Sequence, residues 1–257
     1  MAFLRNAINN LDPKKDKKTE LTLALNLLTE LSESKVREFE REIIADYRLA
    51  GTNESFTIPI KASIATQSEY RAYVKDDAGK IATEVADAIK KFVDGGADNI
   101  ITGIADLVTT GLTAILGGGQ AIQQEMKSYF VTAQEYGLVR YDIRAWRRII
   151  EAEGITSEIE ACLALYASKA SVDVTKLDLN TFLLLYSNQL HKMGIDESDT
   201  LEYLRKAEEI YHKLIESNNK SNNNGIMAQN SSSPSMSSSI ILANPFSPGN
   251  LVFSPEI

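Results

Sequence analysis

Apolar residues recur every three or four positions in the first part of the chain. This spacing, with charged residues between the apolar ones, predicts a long helix from about Glu20 to Leu49. The same spacing returns from Ile81 to Val93, and the glycines at positions 95 and 96 predict the end of a second helix.

The segment between these two helices has the two-residue period of a β-strand. Its apolar positions, which alternate with polar ones, are Phe56, Ile58, Ile60, Ala62 and Ile64. Pro59 has no backbone N–H to donate, which favours a strand at the edge of a sheet. We expect Tyr70 to Val74 to pair with it across a turn at Thr66 to Ser68, so the pattern predicts a small β-hairpin near residues 55–75.

We interpret the spacing of apolar residues in the second half of the chain as helical as well. A further helix is expected after the glycines at 117–119, and the next stripe is Val139, Ile143, Trp146 and Ile150. Ser157 and Glu160 match a capping box that opens a helix through Tyr166. Two more helices are predicted at 181–193, capped by Asn180, and at 201–215. The predicted fold is mainly α: a multi-helix single domain over residues 1–217 with a small β-hairpin.

The segment 99–124 is nearly uncharged, since Asp106 is its single charged residue. Its apolar residues form one wide helical face, which we propose as a membrane or assembly segment: Ile100, Ile101, Ile104, Leu107, Val108, Leu112, Ile115 and Leu116. Small residues recur every fourth position on the other face, as in closely packed membrane helices. A bilayer span needs about 20 mainly apolar residues, and threonines, glycines and Asp106 dilute this run. The alternatives are a helix buried in the protein core and a segment that inserts only on contact with lipid.

Arginines recur every fourth residue further along the chain. Arg140, Arg144 and Arg148 would share one face of the predicted helix, with Arg147 and Trp146 beside them. Like charges at this spacing repel each other, so one interpretation is an anionic partner such as a phosphate, a lipid headgroup or another subunit. The other is a solvated face that pairs with nearby acidic residues.

The composition changes at residue 218. Ser and Asn dominate through Ser239, so residues 218–257 are predicted to be a low-complexity tail that is disordered on its own. Two apolar patches punctuated by prolines follow: Ile240, Ile241, Leu242 and Phe246, then Leu251, Val252 and Phe253. We expect these patches to dock on the predicted edge strand of the same chain or of a neighbour; a dispensable terminus is the alternative.

Charge and cysteine content narrow the classes of function. A net charge of -8 argues against a nucleic-acid partner, because such binding needs a basic surface. The single cysteine, Cys162, excludes an internal disulfide and a zinc site with several thiolates. The N-terminus lacks the long apolar core of a secretory signal, so we expect a cytoplasmic protein, with non-classical release as an alternative.

No motif in the sequence predicts catalysis or metal binding. The run of three glycines at 117–119 lacks the Gly-Lys-Ser/Thr ending of a phosphate loop, and His191 and His212 are not at ligand spacing. We expect no catalytic residue, no cofactor and no metal ion. Three functional hypotheses remain. The first is a membrane-associated or conditionally membrane-inserting helical protein, similar to a pore former, with the lipid bilayer as partner. The second is a self-assembling homo-oligomer whose subunits are linked through helices and the tail, and the third is an enzyme with an unrecognised site.

Overall fold

The structure, a computed structural model, describes residues 17–52, 57–73, 78–93, 97–117, 122–134, 137–149 and 161–228. In chain order its elements are α1 (Lys17–Leu49), β1 (Ile60–Tyr73), α2 (Ala78–Phe92), α3 (Asp98–Gly117), β2 (Gln123–Gln134), β3 (Gly137–Ile149), β4 (Ala161–Val172), a 3-10 turn (Val174–Lys176), α4 (Leu179–Lys192) and α5 (Glu197–Ala228). The four strands form one antiparallel sheet in the order β1-β4-β3-β2. The protein therefore has an α/β fold, and the prediction of a mainly α fold is wrong.

The error lies in the second half, where segments predicted to be helical form β2, β3 and β4. In β3, Val139 and Ile143 are four residues apart, which suits one turn of a helix but also keeps both side chains on one face of a strand. In β4 both faces are buried, so its apolar run lacks the alternation that identifies a half-exposed strand. A short apolar run of this kind does not distinguish a strand from a buried helix.

The predicted β-hairpin is also wrong, although its edge position is confirmed. Residues 60–73 form one continuous strand, and the expected turn at Thr66 to Ser68 lies opposite β4 residues 166–168. The partner of β1 is β4, with Tyr73 opposite Ala161 at the far end. Because β1 is a terminal strand of the sheet, only one of its sides pairs with another strand in the described part of the chain.

The predicted helices near residues 20–49, 81–93, 181–193 and 201–215 are confirmed. Two of their boundaries differ from expectation. The side chain of Asp178, rather than Asn180, caps α4 by accepting a hydrogen bond from the Thr181 N–H at 3.1 Å. The helix α5 continues to Ala228, so the change in composition at residue 218 does not end it. The apolar tail patches at residues 240–253 lie outside the described residues, and their docking stays a prediction.

Helices cover both faces of the sheet. On one face α1 contacts β4 and β1 and closes a small core, which contains Ala24, Leu28, Phe39, Ile43, Trp146, Cys162, Ala164 and Tyr166. On the other face, residues of α2, α3, α4 and α5 pack with the sheet in the main core. The sheet is therefore the middle of three layers, and both faces of β3 and β4 are buried.

Candidate functional site

The apolar face of the low-charge segment lies in the main core. Six of its predicted residues are at most 7% exposed, namely Ile100, Ile104, Val108, Leu112, Ile115 and Leu116. Ile101 and Leu107 are partly buried, whereas Asp106 is exposed. The helix α3 ends at Gly117, and Gln123 and Gln124 belong to β2. The burial of this face therefore agrees with the alternative of a helix that is buried in the protein core.

Two glycines allow α3 to approach its neighbours closely. A Cβ atom added at Gly103 would lie 2.8 Å from the Cβ and 3.1 Å from the carbonyl oxygen of Met193. A Cβ added at Gly111 would overlap the Met126 sulfur and lie 3.4 Å from its Cγ. The glycines therefore fit α3 against the end of α4 and against β2.

The outer side of α3 is unusual because it is exposed and almost uncharged. Between residues 99 and 116 the exposed positions are Thr102, Asp106, Thr110, Thr113 and Ala114. The neighbouring helix α2 shows the ordinary pattern, and its exposed positions are Gly79, Lys80, Thr83, Asp87, Lys90 and Lys91. Among the described helices, α3 has the length and apolar composition needed to cross a membrane. Burial in the core explains the inner side of α3 but not the lack of charge on its outer side.

The arginine row belongs to β3 and faces α1. Arg140 is 1% exposed, and its Nε and Nη2 atoms donate to the two carboxylate oxygens of Asp142 at 2.8 and 2.7 Å. Its Nη1 donates to the Ile58 carbonyl oxygen at 2.7 Å, and its guanidinium carbon lies 4.5 Å from the ring centre of Tyr129 and 5.3 Å from that of Tyr47. The interpretation of a solvated face does not hold for Arg140, because this charge is buried and each of its three nitrogen atoms donates a hydrogen bond within the protein.

Several further contacts between α1 and the sheet are ionic. Arg144 pairs with Asp46 of α1, and Lys35 and Lys127 each bridge α1 and the sheet. Lys35 binds Glu125 of β2 at 2.5 Å, whereas Lys127 of β2 binds Glu42 at 2.8 Å. Arg148 is partly buried and lies opposite Cys162 in β4. These ion pairs form a network of charges that, together with the small apolar core, holds α1 on the sheet.

Two residues of the network, Tyr47 and Asp142, were not among the predicted site residues. The Tyr47 hydroxyl donates to Ser168 Oγ at 3.0 Å, and burial, followed by the nearby Asp142 carboxylate, raises the pKa of its phenol. The signal for this face was the alternation of Val139, Tyr141, Ile143 and Ala145 with polar residues, which is a strand pattern.

Arg147 lies on the opposite face of β3 from Arg140 and Arg144. Successive side chains of a strand point to alternate faces, and Arg147 is an odd number of residues away from each of the other two. It is 5% exposed, and its Nε and Nη1 atoms have no hydrogen-bond partner within the described ranges. Its cross-strand neighbour Gln124 also has a buried side-chain oxygen without a partner there. The sequence-based grouping of four arginines therefore joins residues from two different environments.

A groove of about 270 Å³ lies between the sheet and α5. Leu138, Val172, Val174 and Leu214 supply apolar walls, and its ionisable lining residues are Lys61 and Asp173. Both are engaged in structural contacts. Asp173 accepts hydrogen bonds from the Thr175 N–H and hydroxyl, and Lys61 donates to Asn218 at 3.3 Å. The groove thus offers no pair of free groups for acid–base catalysis.

No protein family, curated protein or solved structure matches this chain. Among the residues that the structure describes, no cluster of three His, Cys, Asp or Glu side chains could hold a metal ion. Two features of the described residues bear on function: the nearly uncharged outer side of α3, and the edge of β1 that pairs with no other described strand.

Proposed function

We propose that this protein associates with membranes and that α3 is the helix that enters the bilayer. The observation that carries the proposal is the outer side of α3, which is exposed and, after Asp98 at the start of the helix, has one charge, Asp106. A core helix needs an apolar inner side only, and its outer side normally carries charged residues, as α2 does. A helix of 20 residues with both sides nearly uncharged has the length that a bilayer requires.

The energetics require lipid for this insertion. Burial of each of the six inner apolar side chains stabilises the fold by about 1.5–3 kcal/mol. Exposing all six side chains to water would therefore cost a free energy comparable to the about 5–15 kcal/mol that typically stabilises a whole domain. The hydrocarbon of a bilayer solvates these side chains as the core does. The helix α3 is therefore expected to stay on the sheet in water and to leave it only on contact with lipid.

A disulfide that ties α3 to the sheet tests this proposal. A double variant, Gly111→Cys with Met126→Cys, brings two thiols within bonding range because a Cβ added at Gly111 would lie 3.4 Å from Met126 Cγ. We expect the oxidised variant to lose insertion into liposomes, measured by the fluorescence of an environment-sensitive label on α3, and to regain it after reduction.

A matched control forms a disulfide on the other face of the sheet. The Cys162 thiol is hydrogen-bonded to Ser32 of α1, so Ser32→Cys alone offers a disulfide between α1 and β4. Oxidation of this control should leave insertion unchanged. Equal insertion by the oxidised and reduced Gly111→Cys/Met126→Cys protein would refute the assignment of α3.

Asp106 supplies a second test of the same proposal. A charged side chain at the centre of a membrane helix costs about 2.5–3.5 kcal/mol, and Asp106 is exposed, so its substitution leaves the core intact. We expect Asp106→Asn to increase co-sedimentation with liposomes. Thr110→Asn at a neighbouring exposed position is the control and should not increase it. Equal binding by Asp106→Asn and the parent at acidic and neutral pH would contradict insertion.

Self-assembly is the second candidate, and the edge of β1 favours it. This strand has 14 residues, and in the described part of the chain no other strand pairs with its outer side. An open edge of this length is a template for a strand from a second copy, and Ile64 on it is 55% exposed. Ile64→Lys should reduce particle size in light scattering, whereas Leu201→Lys, at a similarly exposed leucine of α5, should not. A monomeric parent protein would remove this candidate.

A further inference from the structure

Arg147 is a buried cation that lacks the partners its neighbours have. On the same strand, Arg140 uses its Nε, Nη1 and Nη2 atoms in hydrogen bonds, and Arg144 pairs with Asp46. Arg147 is 5% exposed, and neither its Nε nor its Nη1 has a partner among the described residues. A buried charge without partners strongly destabilises a fold. The two unpaired nitrogen atoms therefore point to a partner that is not part of the described chain.

The surroundings of Arg147 define what this partner must offer. Gln124 lies directly opposite on β2, and its buried Oε1 accepts no hydrogen bond within the described residues. On the other side Arg147 is opposite Leu163 of β4, which is fully buried. The pair thus presents N–H donors and one carbonyl acceptor in an otherwise apolar environment.

The helix α3 packs against β2, the strand that carries Gln124. Gly111 of α3 lies against Met126. Met126 and Gln124 are two residues apart in β2, so Gln124 and its partner Arg147 share the face of the sheet on which α3 packs. Release of α3 would expose more of this face.

We propose that Arg147 and Gln124 form a binding site for a phosphate group that carries a hydroxyl, as a phosphate monoester does. The guanidinium donates to the anionic oxygens, which is the favoured pairing of arginine with phosphate, and Gln124 Oε1 accepts from the P–OH group. Both a lipid headgroup and free phosphate have this chemistry. The lipid source depends on the proposed insertion of α3, since that movement would open this face of the sheet to the headgroups.

The first experiment measures thermal unfolding with and without inorganic phosphate. In phosphate-free buffer, Arg147→Met should raise the melting temperature because it replaces a buried charge, two of whose nitrogen atoms have no partner among the described residues, with an apolar side chain of similar length. Phosphate should raise the melting temperature of the parent but not of Arg147→Met, with chloride at matched ionic strength as the control. A marked fall in melting temperature for Arg147→Met without phosphate would show that Arg147 has a partner within the chain, which would overturn the proposal.

The second experiment compares vesicles of equal surface charge. We expect several-fold stronger binding to phosphatidylcholine vesicles containing phosphatidic acid, a phosphate monoester, than to those containing phosphatidylserine. Arg147→Gln should abolish this preference and Arg147→Lys should restore part of it. Equal binding of both vesicle types by the parent, together with no effect of free phosphate, would refute the site.

The two experiments also distinguish failure of this site from failure of the proposed function. A protein that responds to free phosphate through Arg147 but does not insert in any vesicle retains the site and loses the membrane role. A protein that inserts without preferring phosphatidic acid and without responding to phosphate retains the role and loses the site.

Discussion

Neutralising Asp142 is expected to destabilise this protein more than any surface substitution. Asp142 and Arg140 have side chains that are each 2% exposed, and two hydrogen bonds of 2.7 and 2.8 Å join them. In Asp142→Asn one carboxylate oxygen becomes an amide group that donates rather than accepts, so Arg140 keeps its charge and loses its counter-ion. Breaking a buried pair in this way costs about 3–5 kcal/mol, a large part of the about 5–15 kcal/mol of a typical domain.

Urea unfolding followed by far-UV circular dichroism measures this loss. With a slope of about 1–3 kcal/mol per molar urea, the midpoint should fall by about 1 M or more. Arg37→Gln is the control, because Arg37 is 62% exposed and pairs with Glu33 at 3.6 Å; it should cost less than about 0.5 kcal/mol. The double variant Arg140→Met/Asp142→Leu should recover stability relative to Asp142→Asn, since no buried charge remains. If Asp142→Asn and Arg37→Gln shifted the midpoint equally, the pair would not be buried as described.

Three further predictions concern single sites. Gly103→Ala should destabilise the protein by about 1–3 kcal/mol because it meets the Cβ and backbone of Met193, whereas Gly111→Ala meets the flexible end of a methionine and should change stability by less than about 1 kcal/mol in thermal melts. Burial alone would raise the pKa of Glu125, but hydrogen bonds and charges from Lys35 and Lys127 outweigh it and lower this pKa below 4.5. A carboxyl group with a lowered pKa stabilises the folded state at higher pH, and this stabilisation is lost on acidification. The stability advantage of the parent over Glu125→Gln should therefore shrink as the pH falls below 4.5. Burial raises the pKa of the Cys162 thiol, so a thiol reagent should label the protein only after unfolding.

A helix could be predicted from the sequence where one of its sides is buried and the other is exposed to water. In α2 the apolar residues face the core and the charged ones face solvent, so the 3.6-residue period is visible. In β3 the side that carries Arg140, Asp142 and Arg144 is polar but buried under α1. A buried polar face resembles a solvated one in the sequence, since only the tertiary contacts with α1 distinguish them.

For the candidate site, too, one feature could be predicted from the sequence and another could not. The apolar face of α3 could be predicted from Ile100 to Leu116 because it depends on composition and spacing alone. The difference between Arg140 and Arg147 could not, because it depends on which face of a strand each residue occupies. A spacing of four residues suits both a helix and a strand, and a wrong choice between them places Arg147 beside Arg140.

The pairing of β1 with β4 has a consequence for how the chain folds during synthesis. β1 is the first strand of the sheet in the chain and β4 is the last, and Ile60 lies opposite Val172. By contrast, β2 and β3 form a local hairpin in which Gln134 lies opposite Gly137, so they can pair early. Until β4 leaves the ribosome, β1 has no strand to pair with, and α1 lacks the strand that it contacts most. A nascent chain that stops before Ala161 therefore exposes the free edge of β3 and an unpaired β1, which are the features that make folding intermediates aggregate.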